Sequence, residues 1–145
     1  MTIAVIDASA LVDALLPGEE NDPVRQALDG VSEFAGPEHL GIEVLNVLRR
    51  KAHGQDPVMP TLVTARQTLA QLNIRLVPFA AIHDRIWELR HTLTAYDAAY
   101  AAAAEHLEVS LLSSDTALTE HPSLRCEVIN PRRNDTDNAS DNSNS

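Results

Sequence analysis

Residues 2–16 read TIAVIDASALVDALL, and the change of character at Asp7 decides the fold. TIAVI is an unbroken apolar run of the kind found in strands buried on both faces of a parallel sheet. From Ser9 to Leu16 the pattern reads as a helix, closed by Pro17-Gly18. A buried strand, an acid at its carboxyl end and a helix follow one another without a spacer. The same alternation continues outward from this stretch. Strands are predicted over residues 33–35, 74–77, 109–112 and 126–129, and helices over 22–28, 38–53, 61–72, 80–91, 94–107 and 116–120. Pro23 suits the first turn of its helix, and Gly54 follows the end of another. Short apolar strands alternating with helices imply an α/β protein with a mostly parallel sheet covered on both faces.

Composition sets outer limits. A chain of 145 residues makes one domain. Hydrophobic residues are 44% and aromatics 3%, so the core must be aliphatic and rich in alanine, which lets helices lie close to a sheet. The single cysteine, Cys126, excludes an intramolecular disulfide and points to a reducing compartment. No Cys/His group has zinc spacing. The apolar stretch 3–16 is interrupted by Asp7 and Asp13 and has no basic leader, so neither a signal peptide nor a membrane span is expected. The expected location is the cytoplasm. Eleven basic against 21 acidic residues give a net charge of −10. That argues against a general nucleic-acid coat protein, which needs a basic face, but is compatible with an enzyme that gathers acids at a metal and offers only local arginines.

Four acids stand out by position. Asp7 follows the first strand, and Asp115 follows the strand VSLL after two serines. Both therefore lie at the carboxyl edge of the sheet, where open parallel sheets bind ligands. Each is also a good helix N-cap, which alone would explain it. Thr94 and Asp97 have capping-box spacing. Asp97 also shares a helix face with Ala101 and Ala104, a face of small residues suited to lie on the sheet. Glu43 falls inside the apolar stripe Leu40, Val44, Val47 and Leu48. A carboxylate turned toward a core is costly unless paired or bound to a metal. The competing explanation is a stripe-edge Glu that snorkels to solvent, or an ion pair with Arg50 or another base. Three or four clustered acids need a cation, and Mg²⁺ or Mn²⁺ would turn such a cluster into a site for phosphoryl chemistry.

The segments VIDASALV (5–12), GIEVLNVLRR (41–50), RHTLTAYDAAYAAAAE (90–105) and LLSSDTAL (111–118) together resemble the PIN-domain ribonucleases. Within that family they resemble the VapC toxins of bacterial toxin–antitoxin pairs. Order and spacing agree over residues 1–131. The resemblance implies a three-layer α/β/α fold with a central parallel sheet. It implies Asp7, Glu43, Asp97 and Asp115 as catalytic and metal-binding residues, with Mg²⁺ or Mn²⁺ as cofactor. It further implies endoribonuclease activity on structured RNA such as tRNA or rRNA, a homodimer, and a VapB-type antitoxin partner. Residues 132–145 lie outside it; NDTDNASDNSNS has almost nothing apolar to bury and is expected to be disordered.

Other residues have bland explanations beside functional ones. Arg49, Arg50 and Lys51 could touch RNA phosphates, but favourable placement at a helix C-terminus explains them as well. Arg85 and Arg90 are weaker candidates for RNA contact. Trp87 could stack on a base, though on an amphipathic helix it is expected in the core. Ser9 and Ser113 could orient carboxylates or serve as caps. The histidines show no ligand spacing and are expected to be surface or structural residues. Two rival functions remain: an aspartyl phosphotransferase using Asp7 as nucleophile, and a catalytically weak domain acting mainly as a protein-binding module.

Overall fold

The computed structural model of the chain describes residues 2–16, 18, 22–54 and 59–132. In chain order these form β1 (Ile3–Ile6), α1 (Ala8–Leu15), α2 (Pro23–Asp29), β2 (Glu33–Pro37), α3 (Leu40–Ala52) and α4 (Met59–Gln71). They continue with β3 (Ile74–Val77), α5 (Phe79–Glu88), α6 (Ala95–Leu107), β4 (Ser110–Leu112), α7 (Thr116–Thr119) and β5 (Val128–Ile129). The strands form one sheet of order β3-β2-β1-β4-β5, and every neighbouring pair is parallel. The expectation of a mostly parallel sheet is therefore met in full. β5 is shorter than predicted: Cys126 lies in a bend, and only Val128 and Ile129 pair, with Leu111 and Leu112 of β4.

From β1 the chain builds outward to β2 and β3 on one side, then returns to add β4 and β5 on the other. The direction of winding thus reverses between β1 and β4. Connections leaving these two strands diverge to opposite faces and leave a crevice beyond their carboxyl ends. Ile6 pairs with Leu112, so Asp7 and Ser113 leave the sheet side by side. The Asp7 N–H donates to the Leu112 carbonyl at 3.1 Å and extends the ladder by one step.

Helices flank the sheet. α6 packs on β1, β2 and β4 and against α5, while α1 packs on α2, α3 and α4. Alanine makes this close approach possible. Ala98 to Ala104, with Tyr100 among them, are all buried. Gly36 in β2 serves the same purpose for α3, since a Cβ there would come within 2.6 Å of the fully buried Leu40 side chain. That contact seats the first turn of α3, which carries Glu43, above the sheet edge. The aliphatic core runs through Val5, Ile6, Leu11, Leu111 and Leu118.

The helix stop at Pro17 and the tail from residue 133 lie outside the described residues. Arg132 lies within them; its guanidinium pairs with Asp13 at 3.1 Å and with Asp22 at 3.6 Å. Among the described residues no helix is long and apolar enough to cross a membrane.

Candidate active site

Four elements bring the four acids to one place. Asp7 stands at the β1–α1 junction, Glu43 in the first turn of α3, Asp97 in the first turn of α6 and Asp115 between β4 and α7. All four line a single cleft of about 130 Å³, together with Ser9, Asn46, Val47, Arg50 and Tyr100. The crevice expected at the winding reversal and the acids expected at the strand ends therefore coincide.

The capping roles hold as well. Asp7 Oδ1 accepts from the Ala10 N–H at 2.9 Å, and Asp115 Oδ1 accepts from the Ala117 N–H at 2.8 Å. Thr94 caps α6 by accepting the Asp97 N–H at 3.2 Å. Capping fixes each carboxylate at the start of a helix, where backbone N–H groups favour negative charge. In this chain the cap is the means by which the acid is positioned, so the two explanations do not compete.

Ser113 is more than a cap. It is fully buried, its hydroxyl donates to Asp7 Oδ2, and its oxygen accepts the Asp115 N–H at 3.0 Å. One hydroxyl thus couples two of the acids. Ser9 is exposed on the cleft wall and makes no capping bond among the described residues.

The charges strain against each other. Asp7 is pushed from its ordinary value up to about 6, chiefly by burial and further by Asp115 and Asp97; the hydrogen bonds from Ser113 and Ala10 oppose the rise. Asp97 is also raised, first by burial, then by Asp115 and Glu43. Acids crowded in this way favour a cation among them.

Glu43 lies at the edge of its apolar stripe rather than inside it, with about 28% of its side chain exposed. Its Oε2 accepts a hydrogen bond from the Tyr100 hydroxyl. The nearest base is His39, whose Nε2 stands 3.8 Å from Oε2; no ion pair to Arg50 occurs among the described residues. Burial lowers the His39 pKa, with Glu43 opposing, so His39 is less peripheral than its sequence position suggests.

Among the described residues no three carboxylates stand close enough to enclose a cation unaided. Both Asp7 oxygens are already engaged. The donor set suits Mg²⁺ or Mn²⁺ all the same: only oxygens are offered, and such ions keep several waters while bound by one or two carboxylates.

Sequence reasoning did not find Tyr100 or Asn46, and it assigned Arg50 to the helix terminus. Asn46 and Arg50 follow Glu43 by three and seven residues, so helical spacing from Glu43 was the available signal. Arg50 is the single base among the residues lining the cleft. Two other candidates are redirected. Arg85 is bound to Glu105, Glu88 and the Ser123 carbonyl and holds structure together. Trp87 is 67% exposed rather than buried, with the Arg90 guanidinium 4.6 Å over its ring; the face of α5 that packs inward runs through Ile82 and Ile86 instead.

A wholly parallel sheet wound in two directions from β1, with an acid-lined cleft at the reversal, defines the class of protein to which the comparisons also point. The PIN-domain family model matches residues 4–123. Ribonuclease VapC1 of Mycobacterium tuberculosis is 34% identical over 129 residues, spanning 88% of this chain and 97% of that protein. Ribonuclease VapC9 of the same species is 33% identical over 124 residues, spanning 86% and 94%. The chain belongs to the PIN-domain family and, within it, to the VapC ribonucleases. Solved structures agree on the fold. PAE2754 from Pyrobaculum aerophilum superposes with a TM-score of 0.65 at 20% identity, over 96% of this chain and 98% of that one. A toxin–antitoxin complex from Klebsiella pneumoniae gives 0.59 at 20% identity, over 88% and 97%.

Proposed function

We propose that this chain is a toxin endoribonuclease that hydrolyses phosphodiester bonds of structured RNA, such as tRNA or rRNA, with Mg²⁺ or Mn²⁺. The observation that carries this reading is the meeting of Asp7, Glu43, Asp97 and Asp115, from four separate elements, in one cleft of about 130 Å³. Asp7 and Asp97 would be the principal metal-binding residues, with Glu43 and Asp115 completing the acidic wall. A bound divalent ion would supply an activated water and charge neutralisation at the phosphoryl group. The chain's own residues do the rest. Ser113 holds Asp7 and backbone N–H groups hold Asp7 and Asp115, so the carboxylates need no reorganisation on binding. The Arg50 side chain, which makes no hydrogen bond or ion pair among the described residues, is available to an RNA phosphate at the cleft mouth.

Partners follow from the same family. The relatives' structures include a VapBC complex from Rickettsia felis bound to promoter DNA, and a VapB-type antitoxin is the partner proposed here. An apolar groove between α3 and α4, with Leu45, Met59 and Val63 exposed and Arg49 and Arg66 at its rim, suits an amphipathic segment of such a partner. A homodimer in the cytoplasm completes the proposal; exposed Phe79 and Tyr96 beside one apolar hollow are candidates for its interface.

Purified Asp7→Asn and Asp97→Asn variants, freed of any antitoxin, should retain the fold by circular dichroism and lose RNA cleavage by 100-fold or more, that is ~3 kcal/mol of transition-state stabilisation. Full cleavage by either variant refutes the assignment. Metal binding without cleavage by the natural chain would favour the binding-module reading.

A further inference from the structure

Tyr100 places a hydroxyl in the most buried stretch of α6. The residue is 2% exposed, between alanines that are themselves buried. Phenylalanine would fill the same volume without a polar atom to satisfy. The hydroxyl meets its requirement by reaching across to α3, where it donates to Glu43 Oε2. A carboxylate can only accept, so the phenol O–H is the donor of this pair. The His39 ring packs on Tyr100 with centroids 5.2 Å apart and on Tyr96 at 5.5 Å, with its Nε2 3.8 Å from Glu43 Oε2. One carboxylate oxygen of Glu43 is thus held from within. The other, Oε1, makes no hydrogen bond among the described residues.

We propose that Tyr100 is a positioning residue for the cation site, its hydroxyl anchoring Glu43 Oε2 so that Oε1 is presented to the cleft. The proposal rests on the reading of Glu43 as part of a divalent-cation site. Groups that orient a metal-binding carboxylate commonly change metal affinity by 10–100-fold when removed, because the freed ligand must be ordered anew on each binding event.

The test measures Mn²⁺ binding to the full chain, by the paramagnetic signal of free Mn²⁺, for the natural protein, Tyr100→Phe, Glu43→Gln and the double variant. Tyr100→Phe should weaken Mn²⁺ binding by about 10-fold. It should raise the Mn²⁺ concentration for half-maximal cleavage by a similar factor, while the rate at saturating Mn²⁺ recovers. In the Glu43→Gln background the same change should have no further effect on binding. If Tyr100→Phe binds as the natural chain does, or weakens binding equally in both backgrounds, the proposal is overturned. Tyr100→Met, also lacking the hydroxyl, gives the same comparison should the phenylalanine variant not fold. Absence of Mn²⁺ binding by the natural chain would overturn the metal-dependent reading together with this one; an unchanged Tyr100→Phe overturns this one alone.

Discussion

At Asp7 one carboxylate caps α1, receives the Ser113 hydroxyl and lines the cleft. The sequence placed it correctly because a strand end and a helix start are both local features. What it does there depends on charges up to 108 positions away, at Asp97 and Asp115. Burial and those charges raise its pKa from 3.8 to about 6, so without metal the folded chain ionises Asp7 less readily than the unfolded chain does. A raised acid contributes stability that is full below the unfolded value and disappears as pH climbs through the folded value. Metal-free protein at neutral pH therefore carries a destabilisation of about 2–3 kcal/mol from this one group. Asp7→Asn should remove it. In a chelating buffer at pH 7.5 the variant should melt several degrees above the natural chain, and the gap should close as pH falls below 4. His39, lowered by burial, shifts stability in the opposite sense over part of this range, but it is common to both proteins and cancels in the difference. Added Mg²⁺ should raise only the natural chain. A variant less stable at every pH would mean that the Asp7 charge is already balanced without a metal.

Elements were legible where one face is buried and opaque where every face is. α3 shows its stripe, and Glu43 could be located on it within one position; the structure moves it only from the stripe to its edge. α6 is buried on all sides over residues 98–104, so periodicity could not say which neighbour Tyr100 meets. The Trp87 error has a different root: α5 buries only Ile82, and so narrow an inward face leaves a large aromatic outside. Arg85 shows what long-range pairing adds. Its guanidinium joins α5 to Glu105 of α6 at 2.7 and 3.2 Å and to the Ser123 carbonyl at 3.0 Å. Burial would raise the Glu105 pKa, but Arg85 and the Arg125 N–H outweigh it and hold the carboxylate below its ordinary range. With Glu105 only 9% exposed and Arg85 18%, Arg85→Ala should leave a nearly buried carboxylate without its cation. A loss of about 2–3 kcal/mol is expected, below the range for fully buried pairs because both groups keep some solvent. Thermal unfolding should shift down by about 5–10 °C, with RNA cleavage below the melting point unchanged. Stability retained alongside lost RNA binding would return Arg85 to the RNA surface.

For the whole molecule, net charge and active-site charge both oppose the substrate. The chain carries −10 overall and lines its cleft with four acids and one arginine, yet its proposed substrate is a polyanion. The favourable field must then be local, and the candidates are Arg49, Arg50 and Lys51 at the end of α3. Arg50 faces the cleft, and Arg49 bonds to Asn46 at 3.1 and 3.2 Å. Salt dependence measures how many such contacts are made, because each neutralised phosphate releases a counterion. Contacts to about three phosphates predict that affinity for structured RNA falls only about 20- to 40-fold between 50 and 200 mM salt. A basic track of eight or ten contacts would lose a thousandfold or more. Binding should be measured with Ca²⁺ in place of Mg²⁺ to limit turnover. Arg50→Gln should weaken it and reduce the salt slope by one contact, while leaving the melting temperature within a degree or two, since the exposed Arg50 side chain bonds to nothing else among the described residues. A steep slope that Arg50→Gln does not alter would put the RNA on another face of the molecule, away from the acids that are to cut it.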